Sequence, residues 1–103
     1  MARRRLENRR PNETFSVEHA NVQYSATVGF CEGGLPCEVF CRAEKPDSDA
    51  DNLADEVAIA LSLALQNGVT PKELGHSLGR GDGKPASLVG VLVGLLEAAK
   101  HEA

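Results

Sequence analysis

The longest periodic stretch of the chain runs from Ser48 to Gly68, SDADNLADEVAIALSLALQNG. Between Val57 and Leu65 only Ser62 is polar. Leu53, Val57, Ala60, Leu61, Ala64 and Leu65 recur at three- and four-residue spacing, which predicts one apolar stripe of an α-helix. Ile59 and Leu63 fall outside that stripe, so a second face is apolar as well. A helix apolar on two faces is expected to be covered on both. In a chain of 103 residues one cover is the protein's own sheet and the other a second subunit. Ser48, Asp49 and Asp51 mark the start, where their oxygens cap free N–H groups and suit the positive helix end. Asn67-Gly68 marks the stop, with Gly able to take the left-handed cap conformation. Asp47, Asp49, Asp51 and Asp55 together read as a cap with a solvated first turn rather than as a cation site.

Upstream the period changes to two. Val22, Tyr24, Ala26, Val28 and Phe30 alternate with Gln23, Ser25, Thr27 and Gly29, the pattern of a half-buried antiparallel strand. Thr14 to His19 predicts a strand before it, with Phe15 and Val17 on one face and Ala20-Asn21 as a two-residue turn. Glu32-Gly33-Gly34 is a turn signal, and Leu35 to Ala43 returns as a third strand with Pro36 near its start. Downstream, Thr70-Pro71-Lys72-Glu73 is a capping box with Pro at the first helical position. It opens a short helix whose apolar face is Leu74 and Leu78. After the polar loop Gly79 to Pro85, a last helix is predicted from Ala86 to about Lys100, with Leu88, Val91, Leu92, Leu95 and Leu96 on its apolar side. Gly90 and Gly94 there permit close helix contact. The expected architecture is α+β: a three-stranded antiparallel meander followed by a helical layer of two to three helices. Residues 1–11 read as a basic arm and residues 12–103 as a single domain.

Composition narrows the function classes. One Tyr, three Phe and no Trp leave a mostly aliphatic core. No apolar run reaches the length of about 18 residues that a membrane span needs. No apolar signal region follows MARRRLENRR, so the expected location is cytoplasmic. The first ten residues hold five Arg and one Glu, net +4, whereas residues 11–103 hold six Lys/Arg and fourteen Asp/Glu, net −8. An acidic body argues against extended nucleic acid as a partner, because phosphate contacts need a basic face. Arg3 to Arg5 read as a solubilising terminus.

Cys31, Cys37 and Cys41 are an odd count, which argues against a disulfide framework. Cys37, Val39 and Cys41 share one strand face and are expected to pack as core, with no metal bound. His19, His76 and His101 share no metal spacing. No Ser-His-Asp set, paired-carboxylate motif or nucleophile signature appears, so the expectation is a non-enzymatic protein without a cofactor.

The loop Gly79-Arg80-Gly81-Asp82-Gly83-Lys84-Pro85 fails both phosphate-loop patterns. Leu78 and Pro85 stand where a P-loop needs Gly and Ser or Thr, and the third dinucleotide Gly falls on Lys84. It is either an ordinary interhelix loop or an anion site in which glycines admit a ligand and Arg80 and Lys84 meet phosphate. Arg9 and Arg10 abut Pro11 and the first strand and form a second basic pair. The candidate ligand site therefore comprises Arg9, Arg10, Arg80 and Lys84, with Asn12, Asp82 and Ser87 beside them. The expected ligand is a nucleotide or cyclic nucleotide, with Phe40 or Tyr24 available to stack on the base.

The order of meander, long apolar helix and short capped helix resembles the TSCPD domain. That domain occurs at the C-terminal side of vitamin-B12-dependent ribonucleotide reductases and in small stand-alone proteins. The carrying residues are RRPNETFSVEH, the EVF of Glu38 to Phe40, KPDSDADNLADEVAIALSLALQNGV and the PKEL that follows, about Arg9 to Leu78. The final helix is similar to that of stand-alone bacterial and phage-associated members. In reductase-linked members the domain is associated with cysteine-rich metal binding. Here VEHANVQYSA and DSDADN contain no cysteine and none follows Leu78, so zinc is not implied. The resemblance implies a small non-catalytic module connected with nucleotide metabolism, or an accessory interaction module of ribonucleotide reductase; the two apolar faces of the long helix add the expectation of a homo-oligomer. By size, helix pair and basic loops the chain is also similar to phage sponge proteins, which sequester cyclic-nucleotide signals.

Overall fold

Alternation and helical caps translate directly into the elements of a computed structural model, which describes residues 10–79 and 84–100. Three strands come first: β1 (Asn12–His19), β2 (Val22–Phe30) and β3 (Pro36–Ala43). Three helices follow: α1 (Asp49–Gln66), α2 (Pro71–Ser77) and α3 (Leu88–Ala98). The strands form an antiparallel meander in the order β1-β2-β3, so the chain is an α+β domain. Ala20 and Asn21 both have positive φ, 51° and 64°, the requirement of a two-residue hairpin turn whose twist matches the strands.

Phe15 and Val17 of β1, Tyr24, Ala26, Val28 and Phe30 of β2, and Val39, Cys41 and Ala43 of β3 turn to one face and enter the core. Ala54, Ala58, Leu61 and Leu65 of α1, Leu74 of α2, and Leu88, Leu92, Val93 and Leu96 of α3 meet them there. The opposite sheet face is polar. Thr14 and Thr27 hydroxyls are 2.9 Å apart across β1 and β2, and Gln23 donates to Glu18.

The edge of β3 is covered by side chains of α1. Ser62 Oγ accepts from Val39 N–H and donates to Val39 C=O, both at 2.9 Å. Gln66 Nε2 donates to Cys37 C=O at 3.3 Å, and Asp51 Oδ1 accepts from Ala43 N–H at 2.9 Å. An unpaired edge would leave a row of open N–H and C=O groups as a template for stray strands. A hydroxyl can donate and accept at once, so Ser62 serves one residue of that edge much as a fourth strand would. These contacts explain the single polar residue in the apolar run.

They also set the rotation of α1, and here the expectation from periodicity is corrected. The buried stripe is Ala54, Ala58, Leu61 and Leu65, whereas Leu53 is 58 % exposed and Ala60 is exposed. Small alanines let the helix approach β3 closely enough for Ser62 to bond. Asp51 is corrected too. It is 1 % exposed rather than part of a solvated turn, and Ser48 alone provides the cap, accepting from Asp51 N–H at 3.2 Å.

The α2 capping box forms as expected, with Glu73 N–H donating to Thr70 Oγ1 at 3.1 Å and Thr70 N–H donating to Glu73 at 3.2 Å. Leu78 follows α2 as its cap residue and is 40 % exposed, and in α3 it is Val93 that is buried, whereas Val91, expected on the apolar side, is only half-buried. The α2–α3 connection closes on two glycines. Gly79 has φ +69°, and a Cβ placed there would lie 2.1 Å from Gly90 Cα. Gly94, by contrast, faces open space.

The expectation against a disulfide is overturned: Cys31 is bonded to Cys37, with Cα atoms 5.7 Å apart. The cause is the turn between β2 and β3. A register irregularity at Gly29/Phe30 and left-handed Gly33 and Gly34 bring the chain back, with Cys31 N–H donating to Leu35 C=O at 2.9 Å. Cys41 remains a free, buried thiol.

Candidate functional site

Of the seven residues expected to bind ligand, Arg9, Arg80 and Asp82 lie outside the described residues. Asn12 is exposed at the start of β1, and Lys84 is exposed in the loop before α3. Ser87 is the N-cap of α3, its Oγ accepting from Gly90 N–H at 3.2 Å. Arg10 reaches across to β3 and pairs with Glu38. Of these four residues only Arg10 lines either of two cavities.

That cavity is a groove of about 440 Å³ between the outer side of β3 and α1. Val39 and Ala58 form its floor. Phe40, Ile59 and Leu63 rise from its walls, 57 %, 52 % and 40 % exposed. Asp55, Ile59 and Leu63 are spaced by four along α1 and so share one helix face. Because α1 runs antiparallel to β3, Asp55 marks one end of the groove and the Arg10–Glu38 pair the other.

Glu38 is almost fully buried, and its side chain lies across Gly29, where a Cβ would approach Glu38 Cγ to 2.6 Å. A carboxylate so placed needs a charged or hydrogen-bonding partner, which Arg10 supplies. The guanidinium proposed for phosphate is therefore already matched by an anion. With Asp55 added, the ionisable groups lining the groove sum to one net negative charge. Of the two aromatics considered for stacking, Tyr24 is buried in the core and Phe40 is open to solvent.

A second, larger cavity of about 630 Å³ lies where β3 begins, α1 ends, α2 begins and α3 ends. Leu35, Cys37, Leu65, Val69 and Leu96 line it, with Lys72 and Glu97 also present. Its lining is mostly apolar and contains no member of the expected ligand site.

Asp51 is the centre of a second charged network, at the start of α1. Its carboxylate accepts from Arg42 Nε at 2.8 Å and Nη2 at 2.6 Å, and from Asp47 and Ala43 N–H at 2.9 Å each. The Arg42 hydrogen bond is the main cause that holds the carboxyl well below the usual carboxylate range, and it raises Arg42 in turn. The network is structural, tying the start of α1 to the end of β3. Burial, with the Asp51 charge second, pushes the Cys41 thiol up to about 11. The thiolate is the reactive form. Folded protein at pH 8 is therefore expected to take up no iodoacetamide at Cys41, and to take up one per chain only when unfolded without reductant. Stoichiometric labelling of the folded chain within minutes, located at Cys41 by mass spectrometry, would show that the thiol is not sequestered.

Sequence reasoning named Arg10, Phe40, Ile59 and Leu63 separately, took Asp55 only as part of the helix start and Glu38 only as part of the TSCPD resemblance, and gave Gln66 no role. Glu38 falls on the polar side of the strand alternation, where burial leaves no trace, and only its position opposite Gly29 could have hinted at it. Among the described residues no helix is long and apolar enough to cross a membrane, and no group of three or more His, Cys, Asp or Glu is arranged to hold a metal ion. No protein-family model, curated protein or solved structure matches the chain.

Proposed function

We propose that this chain is a non-enzymatic interaction module whose working surface is the groove between β3 and α1. The observation that carries the proposal is the row of Phe40, Ile59 and Leu63, exposed together in one groove with charged groups at its two ends. Contiguous apolar surface of this kind on a small domain marks a protein contact more often than chance exposure. Aromatic anchors in a cleft with a polar rim are also the usual make-up of such contacts. The resemblance to TSCPD domains supports the same reading, since these modules accompany ribonucleotide reductase as well as standing alone.

A second reading is favoured by one specific arrangement. The exposed ring of Phe40 and the guanidinium of Arg10 line the same groove. An aromatic face for a base beside an Arg for a phosphate is what a nucleotide-binding or cyclic-nucleotide-sequestering protein would use. Glu38 and Asp55 weigh against it, because both would repel the phosphate.

Calorimetry with a panel of mono-, di- and cyclic nucleotides separates the two. The interaction reading expects no nucleotide to bind more tightly than about 1 mM. A nucleotide that binds in the micromolar range and loses at least about tenfold in affinity on Phe40→Ala would replace it with the nucleotide reading. Phe40 is exposed, so this substitution leaves the core intact. Turnover of any nucleotide in the panel would overturn both.

A further inference from the structure

We propose that the Cys31–Cys37 bond is a thiol-exchange site: a small thiol attacks it at Cys31, and its opening releases the turn that walls the larger cavity. Neither cysteine lines the groove between β3 and α1, so the proposal stands independently of the interaction reading.

The two sulfurs are unequally open. Cys31 follows β2 and is half-buried, whereas Cys37, in the first turn of chain of β3, is 3 % exposed. Exchange needs a thiolate to reach one sulfur and expel the other. Access is at Cys31, so Cys37 is the leaving sulfur. In the first step a thiolate RS⁻ bonds to Cys31 Sγ. The Cys31–Cys37 bond breaks with its electron pair on Cys37 Sγ, which takes a proton from water. A second RS⁻ attacks the outer sulfur of the mixed disulfide and expels Cys31 as thiolate. The small thiol leaves as RSSR, oxidised by two electrons, and the chain is reduced by two. RSSR reverses both steps.

What the bond holds is a turn with little else to hold it. Between the cysteines lies one 3-10 turn, Glu32–Gly34, none of whose residues is buried. Leu35 after it is 61 % exposed, and a Cβ on Gly33 would meet nothing within 4 Å. Two hydrogen bonds close the turn on itself, from Gly34 N–H to Cys31 C=O at 3.0 Å and from Cys31 N–H to Leu35 C=O at 2.9 Å. β3 is secured separately, because Gln66 bonds Cys37 C=O and Ser62 bonds Val39. Opening the disulfide therefore frees residues 32–35 and leaves the sheet in place. Leu35, Pro36 and Cys37 form one wall of the 630 Å³ cavity, opposite Leu65, Val69 and Leu96. The state of a single bond thus sets how firmly that wall stands.

Thiol trapping and amide exchange test this. The folded wild-type chain is treated with millimolar reduced glutathione, quenched with N-ethylmaleimide over a time course and mapped by mass spectrometry. The early product is expected to carry glutathione on Cys31 and maleimide on Cys37, and the late product maleimide on both. Cys41, 1 % exposed, is the internal control and is expected to stay unlabelled. Amide exchange followed by NMR is expected to be at least about tenfold faster at Cys31 and Gly34 after reduction, and unchanged at Val39 and Ala43. In single variants, Cys37→Ser is expected to take one glutathione per chain from oxidised glutathione, and folded Cys31→Ser none. Circular dichroism checks that both variants are folded, and the wild-type map stands without them. A folded chain that resists glutathione while the urea-unfolded chain is reduced would make the bond purely structural and overturn the proposal. So would glutathione on Cys37 in place of Cys31, equal uptake by the two folded variants, or maleimide on Cys41 as fast as on Cys37. Reduction that leaves the Cys31 and Gly34 amides as protected as before would overturn it as well.

Discussion

Asp51→Ala is expected to lower the melting temperature at pH 7 by on the order of 15 °C. The substitution leaves Arg42 without its bidentate partner and the N–H groups of Ala43 and Asp47 without an acceptor. Asp51 is buried but Arg42 is 55 % exposed and would be resolvated, so the cost falls mainly on the two backbone N–H groups that lose their acceptor. Asp51→Asn keeps the shape and one acceptor oxygen, and should fall between the wild type and the Ala variant. Asp49→Ala, two residues earlier and exposed, is the control and should change the melting temperature by no more than a few degrees.

The pH dependence has a definite sign. The folded-state pKa of Asp51 is held below the unfolded value of about 3.9. An acid titration therefore protonates the unfolded chain first and favours it. The stability that Asp51 contributes is full well above the unfolded pKa and is lost progressively as the pH falls through about 4 and below. Denaturation midpoints between pH 7 and pH 2 should show a steeper acid loss in the wild type than in Asp51→Asn. Equal acid slopes in the two proteins, or a neutral-pH melting temperature untouched by Asp51→Ala, would mean that the network is not what joins α1 to β3.

Gly79→Ala is expected to destabilise the protein by about 3 kcal/mol, for two reasons that act together. At φ +69° an alanine is strained wherever it stands, and here its Cβ would also lie 2.1 Å from Gly90 Cα and 2.5 Å from Gly90 N. Both neighbours are backbone, so no side chain can rotate away; α2 and α3 would have to separate. Gly94→Ala sets the opposite expectation. Nothing lies within 4 Å of its Cβ position inside α3, so the helix gains roughly 0.5–1 kcal/mol. Urea denaturation of the two variants reads the difference directly. If Gly79→Ala proves as stable as wild type, the α2–α3 contact is looser than these distances imply.

The two substitutions also mark where local pattern and tertiary structure part company. Elements fixed by neighbouring residues were legible. Alternation along Val22–Phe30, the left-handed pair Ala20-Asn21, Ser48 before α1 and the Thr70–Glu73 box each act within a few residues, so sequence alone determined them. So did the α+β order, because three short alternating segments followed by three helical ones leave few other ways to bury their apolar faces.

What sequence could not determine was how those pieces meet. Both faces of α1 are apolar, and periodicity does not say which one turns inward. Ser62, Gln66 and Asp51 decide it by bonding the edge of β3, and that edge exists only once the sheet has formed. The same rotation leaves Ile59 and Leu63 outside and places them beside Phe40, creating a groove from residues 19 to 23 positions apart along the chain. Composition and cysteine count argued against the Cys31–Cys37 bond, because they carry no information on the left-handed glycine turn that brings the two together. Asp51 reads as one of several acids at a helix start. Only the tertiary fold, by carrying Arg42 and two backbone N–H groups to it, turned that one acid into a buried anchor, since long-range hydrogen bonds depend on distances that no local pattern encodes.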